Sequence, residues 1–403
     1  MLLLRQSADQ HSHRSVSMPG NLLIHNIGQI VSGDFTNALL DGDALLVRDG
    51  KIAAVGKRNS FEPYGNETVI DANGTTLTPG LIDSHFHPVI GDYTPRQKTV
   101  DFIDSCAHGG VTFMISAGEV HTPGLPTNAI GVKSLAIIGA QSWRNFRPGG
   151  VKVMGGALLL AAGLQEQDFK EMAQAGVCHL GEVGLGGFHD WEKAAEMIGW
   201  AKQNAMVVMM HVGGASIPGS GVIGAKHVKI VQPDIACHLN GGPTAPPEKD
   251  IDIIMSETNC ALEIIQCGNV TVIPKIIEIA RQRSCLNRII VGTDMPSGTG
   301  IIPLGIIRTI AWISSLGRVP PEQVIAMASG NTSSLYRINT GKICVGMDAD
   351  LVIMDAAEGS ESRDALGAFK IGDTVGISAV IVDGEIKVLK SRNTPPARRQ
   401  VII

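Results

Sequence analysis

The sequence predicts an α/β protein: a (β/α)8 barrel of the TIM type with a small β-sandwich assembled from both chain termini. Three observations carry that reading. Eight short, continuously apolar strand candidates recur between residues 81 and 294, longer segments with helical periodicity separate several of them, and hairpin-textured runs lie before and after. Apolar strands that alternate with helices imply a parallel sheet covered on both faces. No GxGxxG follows the first of these strands, which removes the main reason to prefer an open dinucleotide-binding sheet.

Taken in order, residues 1–20 read as a loose polar leader, with His11 and His13 in it. The runs Leu22–Ile24, Ala44–Val47 and Lys51–Val55 follow, the last two joined by Asp49-Gly50, a hairpin signal. The same texture returns at Asp350–Met354 and Ala379–Val382, the latter followed by Asp383-Gly384. Residues 21–79 and 335–403 are therefore expected to form one β-domain, and residues 80–334 the catalytic barrel. The barrel strands are expected at Leu81–His85, Val111–Ser116, Val151–Met154, Val177–Val183, Met206–His211, Ile235–Leu239, Ala261–Ile265 and Ile289–Thr293. A helix from Gln167 to Ala175 stops at Gly176, and Asp190 is a candidate N-cap for Trp191 to Asn204.

Composition narrows the function classes. The balance of 33 basic and 38 acidic residues, net −5, speaks against nucleic acid or an anionic membrane as partner. No stretch of 18 apolar residues occurs, so no membrane span is expected. The seven cysteines are scattered with no CxxC pair, which fits buried thiols in a reducing, cytoplasmic compartment.

In a barrel, function gathers where the strands end. The first predicted strand ends in His85-Phe86-His87, whose two imidazoles share a side in an extended segment and can hold one ion. Glu182 ends the fourth strand, His211 the fifth, His238 the sixth and Asp294 the eighth, each just before a glycine or proline turn. Histidine and carboxylate donors suit divalent zinc, iron or manganese. His179, three residues before Glu182, is expected on the opposite face. His108 is read as a helix-end cap, His25 and His227 as surface or packing residues, and His121 and His189 as loop residues within reach of a substrate.

These residues carry a resemblance. Thr78–His87 (TPGLIDSHFH) resembles the opening metal motif of the amidohydrolase superfamily, and Lys342–Leu351 (KICVGMDADL) resembles that family's return into its β-sandwich. The strings Gly91–Lys98, Asn240–Thr244, Gln266–Asn269, Ser297–Gly305 and Lys390–Pro396 are similar to the enamidase branch of the superfamily. The resemblance implies two divalent metal ions, zinc and/or iron, with His85 and His87 on one and His211 and His238 on the other. Glu182 would bridge them in place of the carbamylated lysine common in the superfamily, and Asp294 would be both a ligand and the acid/base. It also implies a homo-oligomer, a tetramer, and a cyclic enamide as the small-molecule substrate.

The resemblance further implies hydrolysis of 1,4,5,6-tetrahydro-6-oxonicotinate to 2-formylglutarate and ammonia, with a metal-bridging hydroxide as the nucleophile. Arg96, Lys98, Gln266, Ser297 and Thr299 are the candidate substrate contacts, the first two as partners for a ring carboxylate. The alternatives are another cyclic amidase, of dihydroorotase or hydantoinase type, or a non-catalytic scaffold on the same fold. A glutamate at the bridging position and the enamidase-like strings favour the enamide.

Overall fold

The computed structural model describes residues 20–62, 65–90, 99–216, 220–297 and 300–403. The predicted leader therefore lies outside the described residues, Gly20 excepted. The fold is mixed α/β. Eight parallel strands run at Leu81–Phe86, Val111–Ser116, Lys152–Met154, His179–Val183, Val207–Met210, Ile235–Ala236, Ala261–Ile265 and Ile289–Gly292, within a residue or two of the expected positions except the sixth. A helix follows each strand, from Thr99–Ala107 after the first to Gly305–Ser315 after the eighth.

The strands form a three-stranded and a five-stranded sheet. Backbone bonds join them at both edges: Leu158 bridges to Leu180 on one side, and on the other Asp294 N donates to His85 O at 2.8 Å and His87 N to Met295 O at 2.8 Å. Alternation along the strands explains why they read as continuously apolar. Val208 and Met210 face the helices in the outer cluster, while Val207 and Met209 join Ile82, Ile115, Ile235, Cys237 and Ile290 in an inner one. Both faces are dry, so neither can carry the polar half of an ordinary half-exposed strand.

The helices obey the same logic. Ile273, Ile276, Ile277 and Ala280 bury one stripe of the helix Ile273–Gln282, at helical spacing. The helix Glu166–Ala175 starts where Asp168 accepts the backbone N–H of Gln165 at 2.8 Å, and stops at Gly176 with φ +97°. Asp190 caps Trp191–Gln203 by accepting from Lys193 N at 3.0 Å. Both boundaries were legible.

Outside the parallel strands, two sheets enclose one apolar cluster. The four-stranded sheet uses only the first part of the chain, Leu22–His25, Ala44–Arg48, Lys51–Gly56 and Thr68–Asp71. The six-stranded sheet combines Gln29–Val31, Leu39–Leu40 and Thr76–Pro79 with Leu351–Ala356, Val375–Val382 and Glu385–Leu389 from the other end. Ile24, Leu45 and Ile70 of one meet Leu77, Ile353 and Ile381 of the other. Asp49-Gly50 and Asp383-Gly384 both have positive φ and turn hairpins. Lys152, on the third parallel strand, ties this region down: its Nζ lies 2.9 Å from Asp350, 3.0 Å from Asp348 and 2.6 Å from Asp383.

Candidate metal centre

His85, His87, Glu182, His211, His238 and Asp294 are all buried and converge at the C-terminal ends of the parallel strands. Glu182 stands between two groups. Its Oε2 lies 3.6 Å from both His85 Nε2 and His87 Nε2, and its Oε1 lies 2.6 Å from His238 Nε2 and 3.3 Å from His211 Nδ1. Asp294 Oδ1 closes the first group, 3.2 Å from His87 Nε2 and 3.5 Å from His85 Nε2. Two sets of three nitrogen and oxygen donors thus exist, His85–His87–Asp294 and Glu182–His211–His238, each with its donor atoms within 4.8 Å of one another.

The backbone explains how neighbouring residues reach one point. On the fifth strand plain alternation carries His211 inward after Val207 and Met209. On the sixth, Cys237 already points inward, so alternation would turn His238 outward; His238 instead adopts φ +37° and swings its ring to Glu182. Asp294 likewise has φ +58°. Left-handed backbone at two non-glycine residues is uncommon and concentrates at functional sites. The fourth strand carries a bulge between Leu180 and Val183, both of which face the outer cluster. His179 consequently sits on the same inner side as Glu182, edge-on to Tyr336 of the inner cluster, which corrects the expectation of opposite faces. It bonds Ser116 O at 2.8 Å, and burial pushes its pKa down to about 4.

Three of the four imidazoles are held from behind, and the Nδ1 of the fourth, His238, is buried without a hydrogen-bond partner. His85 Nδ1 meets Glu263 Oε2 at 2.8 Å, His87 Nδ1 meets Gly118 O at 3.0 Å, and His211 Nε2 meets Gly214 O at 2.8 Å. Such partners set the tautomer and leave the opposite nitrogen as a donor toward the shared point. Glu263 was missed from the sequence; its signal is a lone carboxylate inside the apolar strand Ala261–Ile265. It also accepts from Ser84 Oγ at 2.6 Å. Asp83, equally unforeseen, accepts Thr293 Oγ1 at 2.6 Å and the N–H groups of Thr293 and His85, and burial raises its pKa to about 7.

Burial opposes charge on His85, but Glu263, Glu182 and Asp294 outweigh it and raise its pKa well above the usual range. Burial works against ionised Glu182 too, yet His85 and His238 hold its carboxyl well below the ordinary value. Three carboxylates crowded against imidazoles, with the rear nitrogens of His85, His87 and His211 already bonded, form a donor set that cations would satisfy.

A cavity of about 200 Å³ opens over this cluster, walled by Val120, Leu185 and Pro243 and by the polar groups of His121, Ser216 and Ser297. Glu182, His238 and Asp294 form its floor. Larger clefts exist, but one of them lies at the opposite strand ends, against Asp234, Cys260 and Arg288, far from these donors.

Of the expected substrate contacts, Ser297 lines the cavity. Arg96, Lys98 and Thr299 lie outside the described residues. Gln266 is buried against Gly305 and accepts from Cys267 Sγ at 3.5 Å; Cys267 is on the wall at that point instead. His121 also lines the cavity, its ring 5.7 Å from that of His87, whereas His189 stacks on Trp191 away from it. His108 pairs with Arg392 rather than capping its own helix. None of the seven cysteines forms a disulfide. Among the described residues, no helix is long and apolar enough to cross a membrane.

Comparison with known proteins gives this geometry a family. Residues 252–387 match the model of the amidohydrolase family. The chain is 51% identical over 377 residues to an enamidase of Eubacterium barkeri, spanning 94% of this chain and 98% of that one. A crystal structure of enamidase, described as a member of the amidohydrolase superfamily, superposes with a TM-score of 0.92 at 50% identity, covering 95% of this chain and all of that one. A D-hydantoinase from a Thermus species shares the fold alone, at 17% identity and a TM-score of 0.62 over 93% of this chain and 96% of that one. The chain belongs to the amidohydrolase superfamily, within its enamidase family.

Proposed function

We propose that this chain is a metal-dependent cyclic amidase that opens 1,4,5,6-tetrahydro-6-oxonicotinate to 2-formylglutarate and ammonia. The observation that carries the reading is Glu182, whose two oxygens face separate donor sets on the floor of a small cavity. Identity to an enamidase over nearly the whole chain supports the substrate class. The eight parallel strands are read as one closed barrel over residues 80–334, and the two terminal sheets as a β-sandwich from 21–79 and 335–403.

The donor set fits two divalent ions, zinc or iron, with His85, His87 and Asp294 around one, His211 and His238 around the other, and Glu182 between them. Ions held there would supply Lewis-acid polarisation of the amide carbonyl and acidification of the attacking water. The protein's own groups do the rest. Asp294 reaches both the His85/His87 imidazoles and the cavity, so it is placed to take a proton from the attacking water and deliver it to the leaving ring nitrogen. One water adds across the C–N bond to give a carboxylate and an enamine. A second water hydrolyses the tautomerised enamine to the aldehyde with loss of ammonia.

The cavity is smaller than the ~300–1,000 Å³ of sites for drug-sized ligands, which suits a single ring. Val120, Leu185 and Pro243 would pack against its methylenes while Ser216, Ser297 and His121 meet its polar edge. Arg96 and Lys98 remain the proposed partners of the carboxylate. The reading includes a homo-oligomeric, cytoplasmic protein.

The test is ammonia release and aldehyde formation from this lactam, beside dihydroorotate and hydantoin, with metal content measured on the same sample. Faster turnover of either comparator would overturn the substrate and leave the metal chemistry standing.

A further inference from the structure

The site has a donor that the proposed chemistry does not use. Cys237 is fully buried. It belongs to the inner cluster with Ile235, Met209 and Ile290, on the side of the metal-binding residues away from the cavity. Its Sγ forms a group with one donor atom each from His85 and Glu182, all within 4.8 Å of one another. Its backbone N–H donates to Met210 O at 2.9 Å, which fixes the residue in the strand ladder. Because His238 is left-handed, the consecutive side chains of Cys237 and His238 both point inward instead of to opposite faces. The sulfur is therefore placed beneath the carboxylate that faces both donor sets.

We propose that His85, Glu182 and Cys237 form a third, soft donor set that takes a thiophilic cation when the centre is only partly loaded. This inference rests on the proposal that the cluster binds metal, and adds which ion arrangement forms first and for which ions. Thiolate sulfur selects zinc, cadmium or copper(I) over magnesium, calcium or manganese, whereas the other two sets offer only nitrogen and oxygen. The soft set shares His85 with the His85–His87–Asp294 set and Glu182 with the Glu182–His211–His238 set. A third ion consequently cannot join a filled pair, and the soft arrangement competes with the paired one. Binding forms a sulfur–metal bond and releases the thiol proton to solvent; no oxidant or reductant is involved.

The experiment is a titration of the metal-free, full-length protein with cobalt(II), and separately with cadmium(II). It is followed by the thiolate-to-metal absorption band in the near ultraviolet, with bound metal counted on the same samples. In the native protein the band should grow over the first equivalent and weaken as the second ion enters. In Cys237→Ser and Cys237→Ala it should be absent although metal still binds. A native protein that takes up cobalt(II) with no such band at any ratio overturns the proposal without any variant. A band that survives in Cys237→Ser also overturns it, by assigning the sulfur to another cysteine. No metal uptake by native protein or variants would refute the metal centre itself, an outcome separate from the other two.

Discussion

Glu263 offers the sharpest test of how the centre is held, because it touches neither the cavity nor the shared point of the donors. Its carboxylate is fully buried, meets His85 Nδ1 at 2.8 Å, accepts from Ser84 Oγ at 2.6 Å, and takes the His238 N–H at 3.3 Å. It thus fixes one imidazole of the first set and the backbone of one in the second. Glu263→Gln keeps the shape and one carbonyl acceptor but removes the charge. A hydrogen bond to a charged group contributes about 1.5–3 kcal/mol against about 1 for a neutral one, so the loss is about 0.5–2 kcal/mol. That corresponds to roughly 2- to 30-fold weaker metal binding, which overlaps the lower part of the ~10- to 100-fold typical of carboxylates behind metal-bound histidines. Glu263→Ala should lose more, since both the ring partner and the His238 amide partner go. Chelator competition for zinc reads the affinity, and the rate per bound ion shows whether the remaining centres work normally. Unchanged zinc affinity in a folded Glu263→Ala protein would refute the claim that this carboxylate orients His85.

Asp294→Asn preserves the side-chain shape but removes the base, and the rate of the metal-replete protein should fall by about 10²- to 10⁴-fold; a near-native kcat would count against its role as proton carrier. Glu119 is buried and bonded to Ile90 N and Trp143 Nε1, and burial raises its pKa to about 8. Between its ordinary value of 4.5 and about 8 the folded chain then binds more protons than the unfolded one, so this group makes stability fall as pH rises through that window. Glu119→Gln should flatten that part of the melting-temperature profile, and an unaltered slope would exclude the effect. Lys152→Met leaves the buried Asp350 without its cation and should destabilise the protein by ~3–5 kcal/mol in denaturant unfolding. A loss under about 1 kcal/mol would mean that Asp350 finds another partner or a proton.

The sequence by itself determined the order of strands and helices, several boundaries and the six residues that converge. Those features are local or periodic: apolar runs such as Ile289–Gly292 need both faces buried, Gly176 supplies a left-handed stop, and a polar residue ending an apolar strand is conspicuous. Tertiary structure decided the rest. His238 and Asp294 reach the centre through left-handed backbone, and His179 shares a side with Glu182 through a bulge, so alternation read along the chain fails at each. Glu263 and Cys237 gain their meaning only from His85, which lies far away in sequence on another strand. Gln266 and Cys267 are neighbours in the chain, yet packing against Gly305 takes one from the cavity and leaves the other on its wall. Periodicity records which residues avoid water, but a donor atom is aimed by backbone strain and by contacts across strands, which no local pattern contains.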